Sequence, residues 1–432
     1  MARIFIYAMN YSPEVAGVGR YTGEIGDYFA AMGHQVAVLT TIPHYPGWKV
    51  LPPYRNGRYC SEIRGGAKIV RCPLLLRERM GGIWRLIAPL SFALTSAPLA
   101  FWRVLRHRPD TVLCIEPTLM TAPIAIIVAR LVGAKTVLHV QDLEVDASFA
   151  VGHLARRAWL KSLAHAFENR LLRSFDRLIT ISGRMAERLA QKGVPAERIA
   201  IVRNWVDLDL IKPLDGVSPY RQELGIVETD RVILYSGNIG AKQGFDVLID
   251  TARRLSRRAD IKFLIAGEGP AKSELAARAA NLPNVRFLPF QPYARLSEFL
   301  GAADIHVLPQ AADAADLVLP SKLGGMLASG RRVIVTAAPG TELATFVEDA
   351  AIVVPPGDAA ALAEAIEQAV DAGCEDAGAA RRRQRLAEPL SKRDGLRNFE
   401  ALAIRWTAIS RREGAAAVGA PEIAERPGEA VG

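Results

Sequence analysis

The architecture of the chain is set by one stretch, Arg231 to Leu255, which reads RVILYSGNIGAKQGFDVLIDTARRL. Its first five residues are mainly apolar and β-branched and predict a short buried strand. A loop with three glycines and Lys242 follows, and apolar residues then recur at helical spacing from Phe245. Ligands bind at such loops in open α/β sheets, and backbone N–H groups, a helix N-terminus and a lysine all favour phosphate. The loop therefore predicts a nucleotide diphosphate site, with an ordinary turn and a solvated lysine as the alternative.

The composition restricts the class of protein. Of 432 residues, half are hydrophobic and 23% are charged, which predicts a globular chain of two or three domains. The net charge of +9 suggests an anionic neighbour such as a membrane surface, a phosphorylated substrate or nucleic acid. The four cysteines have neither metal-ligand spacing nor a disulfide-rich pattern, which favours a reducing cytoplasm. Residues 3–9 are expected to form a strand and not a signal peptide.

Strand and helix patterns alternate on both sides of the opening stretch. Before it, strands are predicted at residues 3–9, 34–41, 68–74, 111–115, 135–140, 177–181 and 199–203. From it onwards, they are predicted at residues 231–235, 261–266, 285–289, 304–308, 332–336 and 351–354. This alternation predicts an α/β fold with two doubly wound parallel sheets whose carboxyl edges face one cleft.

Domain boundaries follow from changes in composition. The first domain is expected at residues 1–205 and the second at 221–390, because Pro, Gly and Asp cluster in the intervening linker, 206–220. Residues 391–412 are expected to form a helix that packs back toward the first domain. Residues 413–432 contain few large apolar side chains and are expected to be disordered.

Residues 86–102 are free of charge and are bracketed by Arg85 and Arg103. The segment is at the lower length limit for a membrane span, and Pro89 and Pro98 interrupt it. Three interpretations stay open: a helix packed in the core of the first domain, an interfacial segment held by tryptophan and arginine, and a transmembrane helix.

Seven motifs occur along the chain in a fixed order. They are YSPEVAGVGRYTGE (11–24), IPHYPGW (42–48), TVLHVQDLEVDA (136–147), RNWVDL (203–208), SGNIGAKQG (236–244), AGEGP (266–270) and LPSKLGGMLASG (319–330). Together they resemble the retaining GT-B glycosyltransferases of family 4, and within that family the colanic-acid WcaI type and the WbuB-like group. The likeness extends from about Arg3 to Trp406. It implies two facing Rossmann-like domains with a C-terminal crossing helix.

The resemblance also implies a donor site. Gly17 and Gly19 would lie over the donor phosphates from the first domain, and Lys242 would contact the diphosphate. The other residues implied to border the donor are Gly237, Asn238, Gly267, Glu268, Gly269, Leu319, Pro320, Ser321 and Lys322.

The sequence departs from the family pattern at two places. Relatives outside this subgroup have an arginine where Asn238 stands, so one positive charge is missing. The second glutamate of the family pair corresponds to Gly325, and the first corresponds only loosely to Asp313 or Asp316. We expect Asp316 to contact the donor sugar.

Further candidates lie in the first domain. His139 and Asp142 fall at the carboxyl end of a predicted strand and are candidate catalytic residues, with a core imidazole and a helix N-cap as the alternatives. His44 and Tyr45 lie in a Pro- and aromatic-rich loop and are candidate acceptor contacts.

The resemblance implies transfer of a sugar from a GDP- or UDP-linked donor, with GDP-fucose expected, to a polyprenyl diphosphate-linked saccharide. The enzyme would work in the cytoplasm, peripherally on the inner face of the plasma membrane, in extracellular polysaccharide synthesis. No cofactor or metal is expected, because Lys242, Lys322 and a helix N-terminus supply positive charge for the leaving group. A sugar-nucleotide isomerase of the 2-epimerase type and an inactive partner subunit remain alternatives. Nucleic acid binding is disfavoured, because arginine is spread along the chain and mixed with acidic residues.

Overall fold

The structure is a computed structural model that describes most of the chain. The described residues are 1–14, 17–45, 47–77, 84–117, 119–143, 158–240, 243–311, 318–373 and 375–405.

A sheet of eight strands forms the first half of this structure. In chain order the strands are β1 (Arg3–Tyr7), β2 (Gln35–Thr41), β3 (Cys60–Arg64), β4 (Ala67–Cys72), β5 (Thr111–Glu116), β6 (Lys135–Val140), β7 (Arg177–Thr180) and β8 (Ile199–Ile201). Their spatial order is β3-β4-β2-β1-β5-β6-β7-β8, with β3 antiparallel to β4 and the other pairs parallel. The helices are α1 (Gly17–Ala31), α2 (Trp84–His107), α3 (Ala122–Val132), α4 (Ala158–Leu172) and α5 (Gly183–Gln191).

The second sheet has six parallel strands in the order β11-β10-β9-β12-β13-β14. In chain order they are β9 (Arg231–Ser236), β10 (Ile261–Ala266), β11 (Val285–Leu288), β12 (Ile305–Leu308), β13 (Arg332–Thr336) and β14 (Ile352–Val354). Its helices are α6 (Pro219–Glu223), α7 (Phe245–Arg254), α8 (Lys272–Arg278), α9 (Leu296–Gly301), α10 (Leu323–Ala328), α11 (Glu342–Val347), α12 (Ala359–Asp371) and α13 (Ala377–Ala387). The strand order reverses beside β1 in the first sheet and beside β9 in the second, and ligands bind at such switch points.

Two segments of the chain cross between the sheets, and they are paired with each other. Val206 donates its N–H to Leu390 O and accepts the N–H of Lys392, both at 2.8 Å. After this pairing, helix α14 (Lys392–Glu400) and a π-helical turn (Ala401–Arg405) pack on the first sheet. Phe399 on α14 is fully buried there, with its ring 6.2 Å from that of Phe29.

The predicted fold class is confirmed: two Rossmann-like α/β domains face each other and the C-terminal helix crosses back. Each predicted strand is present, with ends that differ by two residues at most. Strand β3 was not predicted. Its side chains are mostly exposed, because it pairs on one side only and lies at the edge of the sheet, so it lacks the apolar run of a central strand.

Helix α2 contains the charge-free segment and packs one face on the first sheet. Phe92, Ala100 and Val104 are fully buried, and the Tyr7 hydroxyl lies 2.5 Å from Ser96 Oγ. The stretch Leu86–His107 is long and apolar enough to span a membrane by length and composition, a test that core helices also pass. The core-packed interpretation of this helix is therefore confirmed for its inner face.

Candidate donor and acceptor site

Two glycine turns at the carboxyl ends of β9 and β10 are hydrogen-bonded to each other. Gly237 donates its N–H to Ala266 O, and Ile239 donates its N–H to Glu268 O, both at 2.9 Å. A Cβ on Gly267 would overlap Gly237 O, and Gly267 has a φ of +150°. The two turns therefore form one backbone unit that leaves no room for a side chain at Gly267.

The first turn contains Asn238 in place of the family's arginine. Its backbone O accepts a hydrogen bond from the Tyr235 hydroxyl at 2.6 Å, and its Oδ1 is buried without a partner among the described residues. Gln243 Oε1 accepts the N–H of Gly240 and stabilises the turn. Lys242 lies outside the described residues, so its contact with a diphosphate stays a prediction.

Lys322 is a cation that the structure places against this unit. Its side chain crosses Gly237, where a Cβ would overlap Lys322 Cε, and its Nζ lies 5.2 Å from the centroid of the Tyr235 ring. Within the described part of the chain, no carboxylate pairs with it. Burial lowers the pKa of the Lys322 ammonium group to about 8. Lys322 is partly buried, and an ammonium group that has lost part of its hydration without gaining a counter-charge is costly, so an incoming anion reduces that cost.

The other residues predicted to border the donor differ in exposure and in their contacts. Leu319 is buried in the core, whereas Ser321 is exposed. Glu268 is partly exposed and accepts a hydrogen bond from Lys272 at 2.7 Å. Gly269 packs on the first turn, since a Cβ there would overlap Ile239 O. The backbone O of Pro320 accepts the N–H of Leu323, the first of the six residues of α10. Asp313 and Asp316 lie outside the described residues.

Gly325 does not face the cleft. A Cβ at this position would lie 3.3 Å from Leu300 Cδ1 and 3.6 Å from Ile211 Cδ1, inside the apolar core of the second domain. A glutamate there would bury its carboxylate among aliphatic side chains. The interpretation of Gly325 as an absent ribose contact therefore does not fit its orientation.

Helix α1 of the first domain contacts the second domain beside Lys322. The hydroxyl of Tyr21 lies beside that of Ser321, and burial raises the pKa of the Tyr21 hydroxyl. The Arg20 guanidinium donates to the Tyr293 hydroxyl at 3.1 Å and stacks 4.9 Å above that ring. The two domains thus touch on one side of the predicted donor site.

A second bridge between the domains involves Glu342 on α11. Its carboxylate accepts the backbone N–H groups of Gly183 and Arg184 at the start of α5, and a hydrogen bond from the Arg203 guanidinium at 3.1 Å. Ser182 also caps α5 by accepting the N–H of Met185. These contacts join the second domain to the carboxyl end of β7.

Sequence reasoning missed Glu14, which organises the facing edge of the first domain. It is 2% exposed, and its Oε1 accepts the N–H groups of His44 and Tyr45, both at 2.9 Å. A Cβ on Gly19 would lie 2.5 Å from Glu14 Oε2, so Gly19 is small because this carboxylate packs on it. Contact of Gly19 with the donor phosphates would use its backbone N–H in the first turn of α1, and it stays a prediction. The sequence offered one indication of this role, because Glu14 is the acidic residue in the SPE triplet (12–14) of the first motif.

Tyr45 and Asp142 are brought together at this edge, and Gly17 lies beside them. The Tyr45 ring lies beside Gly17, which stays exposed, and a Cβ on Gly17 would lie 3.0 Å from Tyr45 Cε1. Burial and the nearby carboxylates of Glu14 and Asp142 raise the pKa of the Tyr45 hydroxyl. Asp142 Oδ1 accepts the N–H of Leu143, as a residue at the end of a strand can.

Both histidine candidates are buried in the core. His139 is 1% exposed, its ring lies 4.8 Å from that of Phe399, and burial lowers its pKa to about 3. His44 is fully buried, with Nδ1 2.9 Å from Ile42 O and its ring 5.3 Å from Trp48. The catalytic role predicted for His139 and the acceptor contact predicted for His44 therefore do not fit their positions. The spacing of residues in the sequence does not predict whether such a histidine is buried.

Two facing Rossmann-like domains with sites at both switch points define the GT-B class of transferase. In comparisons with known proteins, residues 16–205 match the family described as "Glycosyl transferase 4-like domain" and residues 230–372 match "Glycosyl transferases group 1". The chain is 39% identical over 378 residues to the colanic acid biosynthesis glycosyl transferase WcaI of Escherichia coli (strain K12), covering 85% of this chain and 92% of that protein.

Solved structures share the fold at low sequence identity. Sucrose-phosphate synthase of Thermosynechococcus elongatus is 16% identical with a TM-score of 0.69, covering 95% of this chain and 99% of that one. Anabaena Alr3699/HepE in complex with UDP-glucose is 16% identical with a TM-score of 0.66, covering 94% and 100%. The two family matches and the 39% identity to WcaI show that the chain belongs to the family 4 GT-B glycosyltransferases and is a glycosyltransferase.

Proposed function

We propose that this enzyme transfers a sugar from a nucleotide-sugar donor to a lipid-linked saccharide with retention of configuration, during synthesis of an extracellular polysaccharide of the colanic acid type. The name of the WcaI relative supports the polysaccharide, and the UDP-glucose in the Anabaena structure supports a nucleotide-sugar donor. GDP-fucose is the donor that we propose to test first, with UDP-sugars second.

The proposed chemistry depends on stabilising the departing nucleoside diphosphate. Negative charge grows on the β-phosphate as the sugar bond breaks, and a cation with fixed N–H groups lowers that barrier. Lys322 and the joined turns at Gly237 and Gly267 can supply both, and we propose that Lys242 adds a second cation. Asp142 and Tyr45 are proposed to hold the acceptor from the opposite edge.

The single observation that supports this proposal best is the Lys322 ammonium group over Gly237, which pairs with no carboxylate of the described residues. A lysine that serves only the fold and is withdrawn from water normally pairs with a carboxylate, since an isolated charge removed from water is destabilising. Here the lysine lies at the switch point of the second sheet, where the first domain also makes contact through Tyr21.

A thermal-stability screen tests the donor. A ligand that binds only the folded protein stabilises it by RT ln(1 + [L]/Kd), so GDP and UDP should raise the melting temperature to different extents. The sugars of the better nucleotide are then tested for transfer, and the anomeric configuration of the product is read by NMR. Conversion of the sugar nucleotide without acceptor would favour the isomerase, and failure of all nucleoside diphosphates to bind would favour an inactive partner.

Lys242→Ala is expected to lower turnover at least about tenfold, because one charge–phosphate interaction contributes roughly 1.5–3 kcal/mol. Steady-state transfer with the identified donor measures this effect. Lys262→Ala, which removes a lysine at the opposite end of β10, serves as the control. Turnover of the Lys242 variant equal to the control would contradict the phosphate role.

We also propose that the enzyme meets its acceptor at the inner face of the plasma membrane. In cell fractionation, part of the protein is expected with membranes and is expected to be released by salt, since surface attraction between charges is screened. Release by detergent alone would point to insertion instead.

A further inference from the structure

Helix α2 has two apolar faces, and only one of them is used by the fold. The inner row, spaced by four residues, includes the buried Phe92, Ala100 and Val104. The outer row is displaced from it by two residues, about 200° around the helix. It contains Leu94, which is 68% exposed, and Trp102, which is 57% exposed. Soluble proteins rarely expose a contiguous row of large apolar side chains to water unless that row binds a partner.

The two helices that follow α2 repeat this pattern. On α3 the exposed apolar residues are four apart, and on α4 they form a row with the same spacing. Among the side chains whose burial is described on the three helices, the exposed large apolar ones are Leu90, Leu94, Trp102, Leu105, Ile127, Leu131, Trp159, Leu163 and Phe167, each at least 43% exposed. We refer to these nine side chains as the three-helix face.

The three helices cover the same side of the first sheet. Phe92 of α2, Ala125 of α3 and Leu172 of α4 belong to one buried cluster with the strand residues Tyr7 and Leu138. Helix α5 packs on that cluster as well, but its outer face is charged, with Glu187 62% exposed. Apolar exposure on this side of the sheet is therefore concentrated on α2, α3 and α4.

The exposed charged side chains described on helices α2, α3 and α4 have one sign. Arg106, Arg130, Lys161 and Arg170 are exposed on the three helices. Glu168 is the one acidic residue in them, and it is fully buried in an ion pair with Lys192. An apolar surface whose three helices expose basic but not acidic side chains complements an anionic lipid surface, in which tryptophan and leucine enter the interface and arginine contacts phosphate.

We propose that the three-helix face binds flat on an anionic lipid bilayer, an inference that rests on the proposed lipid-linked acceptor. A helix whose inner face is in the core of the domain cannot cross a bilayer while the domain stays folded, but its outer face can lie in the interface. The amino ends of α2, α3 and α4 follow β4, β5 and β6, so they start at the sheet edge that faces the cleft. An acceptor anchored in the bilayer would therefore reach the cleft along these helix ends.

Vesicle flotation of the full-length protein tests this surface. The probes are vesicles of phosphatidylcholine alone and of phosphatidylcholine mixed with phosphatidylglycerol, each at low and high salt. The wild type is expected to float with the anionic vesicles and to be released by salt. The fourfold variant Leu94→Ser, Trp102→Ser, Trp159→Ser and Leu163→Ser is expected to bind them at least about fivefold more weakly, since each buried apolar side chain contributes on the order of 1 kcal/mol or more.

Two matched variants make the result specific. Val217→Ser with Val227→Ser removes exposed apolar side chains outside the three-helix face, at 80% and 57% exposure, and should leave flotation unchanged. Arg106→Glu with Arg130→Glu should reduce binding to anionic vesicles while leaving the apolar side chains in place. Nucleoside diphosphate binding is measured on every variant in solution, so that loss of the donor site is recognised separately from loss of lipid binding.

Three outcomes would overturn the proposal. The first is a fourfold variant that floats like the wild type while it still binds nucleotide. The second is wild-type protein that binds neutral and anionic vesicles equally at all salt concentrations. The third is a wild-type dimer that the fourfold substitution converts to a monomer, without vesicle binding by either, because the face would then cover a second copy of the chain.

Discussion

Replacing Lys322 with methionine is expected to weaken nucleoside diphosphate binding about tenfold to a hundredfold at neutral pH, as measured by calorimetry. The reason is that this ammonium group lies over Gly237 and no carboxylate in the described ranges neutralises it, while a charged hydrogen bond to phosphate contributes roughly 1.5–3 kcal/mol. Methionine keeps most of the aliphatic packing over the turn. Lys262→Met, at the far end of the same sheet, is the matched control and should bind like the wild type.

The pH dependence of binding separates this role from a structural one. In the free protein the pKa of Lys322 is lowered to about 8, so the lysine is charged below that pH and loses its proton above it. A bound diphosphate favours the charged form and raises the pKa again, so binding takes up a proton above pH 8. The affinity of the wild type is therefore expected to fall as pH rises above 8, and to be insensitive to this group below it. Lys322→Arg stays charged throughout, and should lack the decline.

The stability of the free protein should change in the opposite direction. Because the folded pKa lies below the unfolded one, the unfolded state binds more protons between pH 8 and the usual lysine range, and this group makes stability rise with pH there. Below pH 8 the buried charge is destabilising, so unliganded Lys322→Met is expected to melt above the wild type at neutral pH. A variant that melts lower and binds diphosphate with the wild-type pH profile would show that Lys322 only packs.

Gly267→Ala is expected to lower the free energy of unfolding by about 2–5 kcal/mol and to abolish most nucleotide binding. The methyl group would overlap Gly237 O, a backbone atom that cannot move without breaking the hydrogen bonds between the two turns. Overpacking and an unfavourable φ each cost on the order of 1–3 kcal/mol. Chemical denaturation measures the stability, and the thermal shift with nucleotide measures the binding.

A control variant separates the cost of the steric overlap with Gly237 O from the cost of placing a Cβ at positive φ. Gly357→Ala also introduces a Cβ at positive φ, +78°, but nothing lies within 4 Å of that Cβ. This variant should therefore lower the free energy of unfolding only by the cost of the positive φ. Position 357 also lies away from the two turns. Equal losses for the two variants would mean that the turns separate easily and do not form a rigid unit.

The fold was accessible from the sequence because buried parallel strands are short apolar runs between helical patterns. Strands β6, β10 and β13 end at the predicted residues for this reason. Strand β3 lacks that signal, since its residues are largely exposed at the edge of the sheet. The burial of Arg71, which pairs with Glu62 on this strand, could not be predicted either, because the sequence does not show which charged residues are partners in space.

The site was accessible only in part, because motifs identify loops but not the directions of side chains. The motifs predicted that Gly267 and Lys322 border one site, and both residues contact Gly237, while their role in donor binding stays a prediction. The burial of His44 and His139 depends on what packs above them, Trp48 for one and Phe399 for the other, and the latter comes from the far end of the chain. The contact of Tyr21 with Ser321 joins residues 300 positions apart and has no local signal.

The paired crossings at Val206 and Leu390–Lys392 bear on how this enzyme could be recombined with its relatives. Helix α14 comes last in the sequence, yet its Phe399 lies in the core of the first domain. A chimera that takes everything after the linker from another parent would install a foreign helix in that core. Exchanging donor specificity therefore calls for two junctions, one at each paired segment, with the inserted portion confined to residues 207–390. Evolution of a new sugar preference by domain exchange would face the same requirement, which favours point changes in the loops over wholesale replacement.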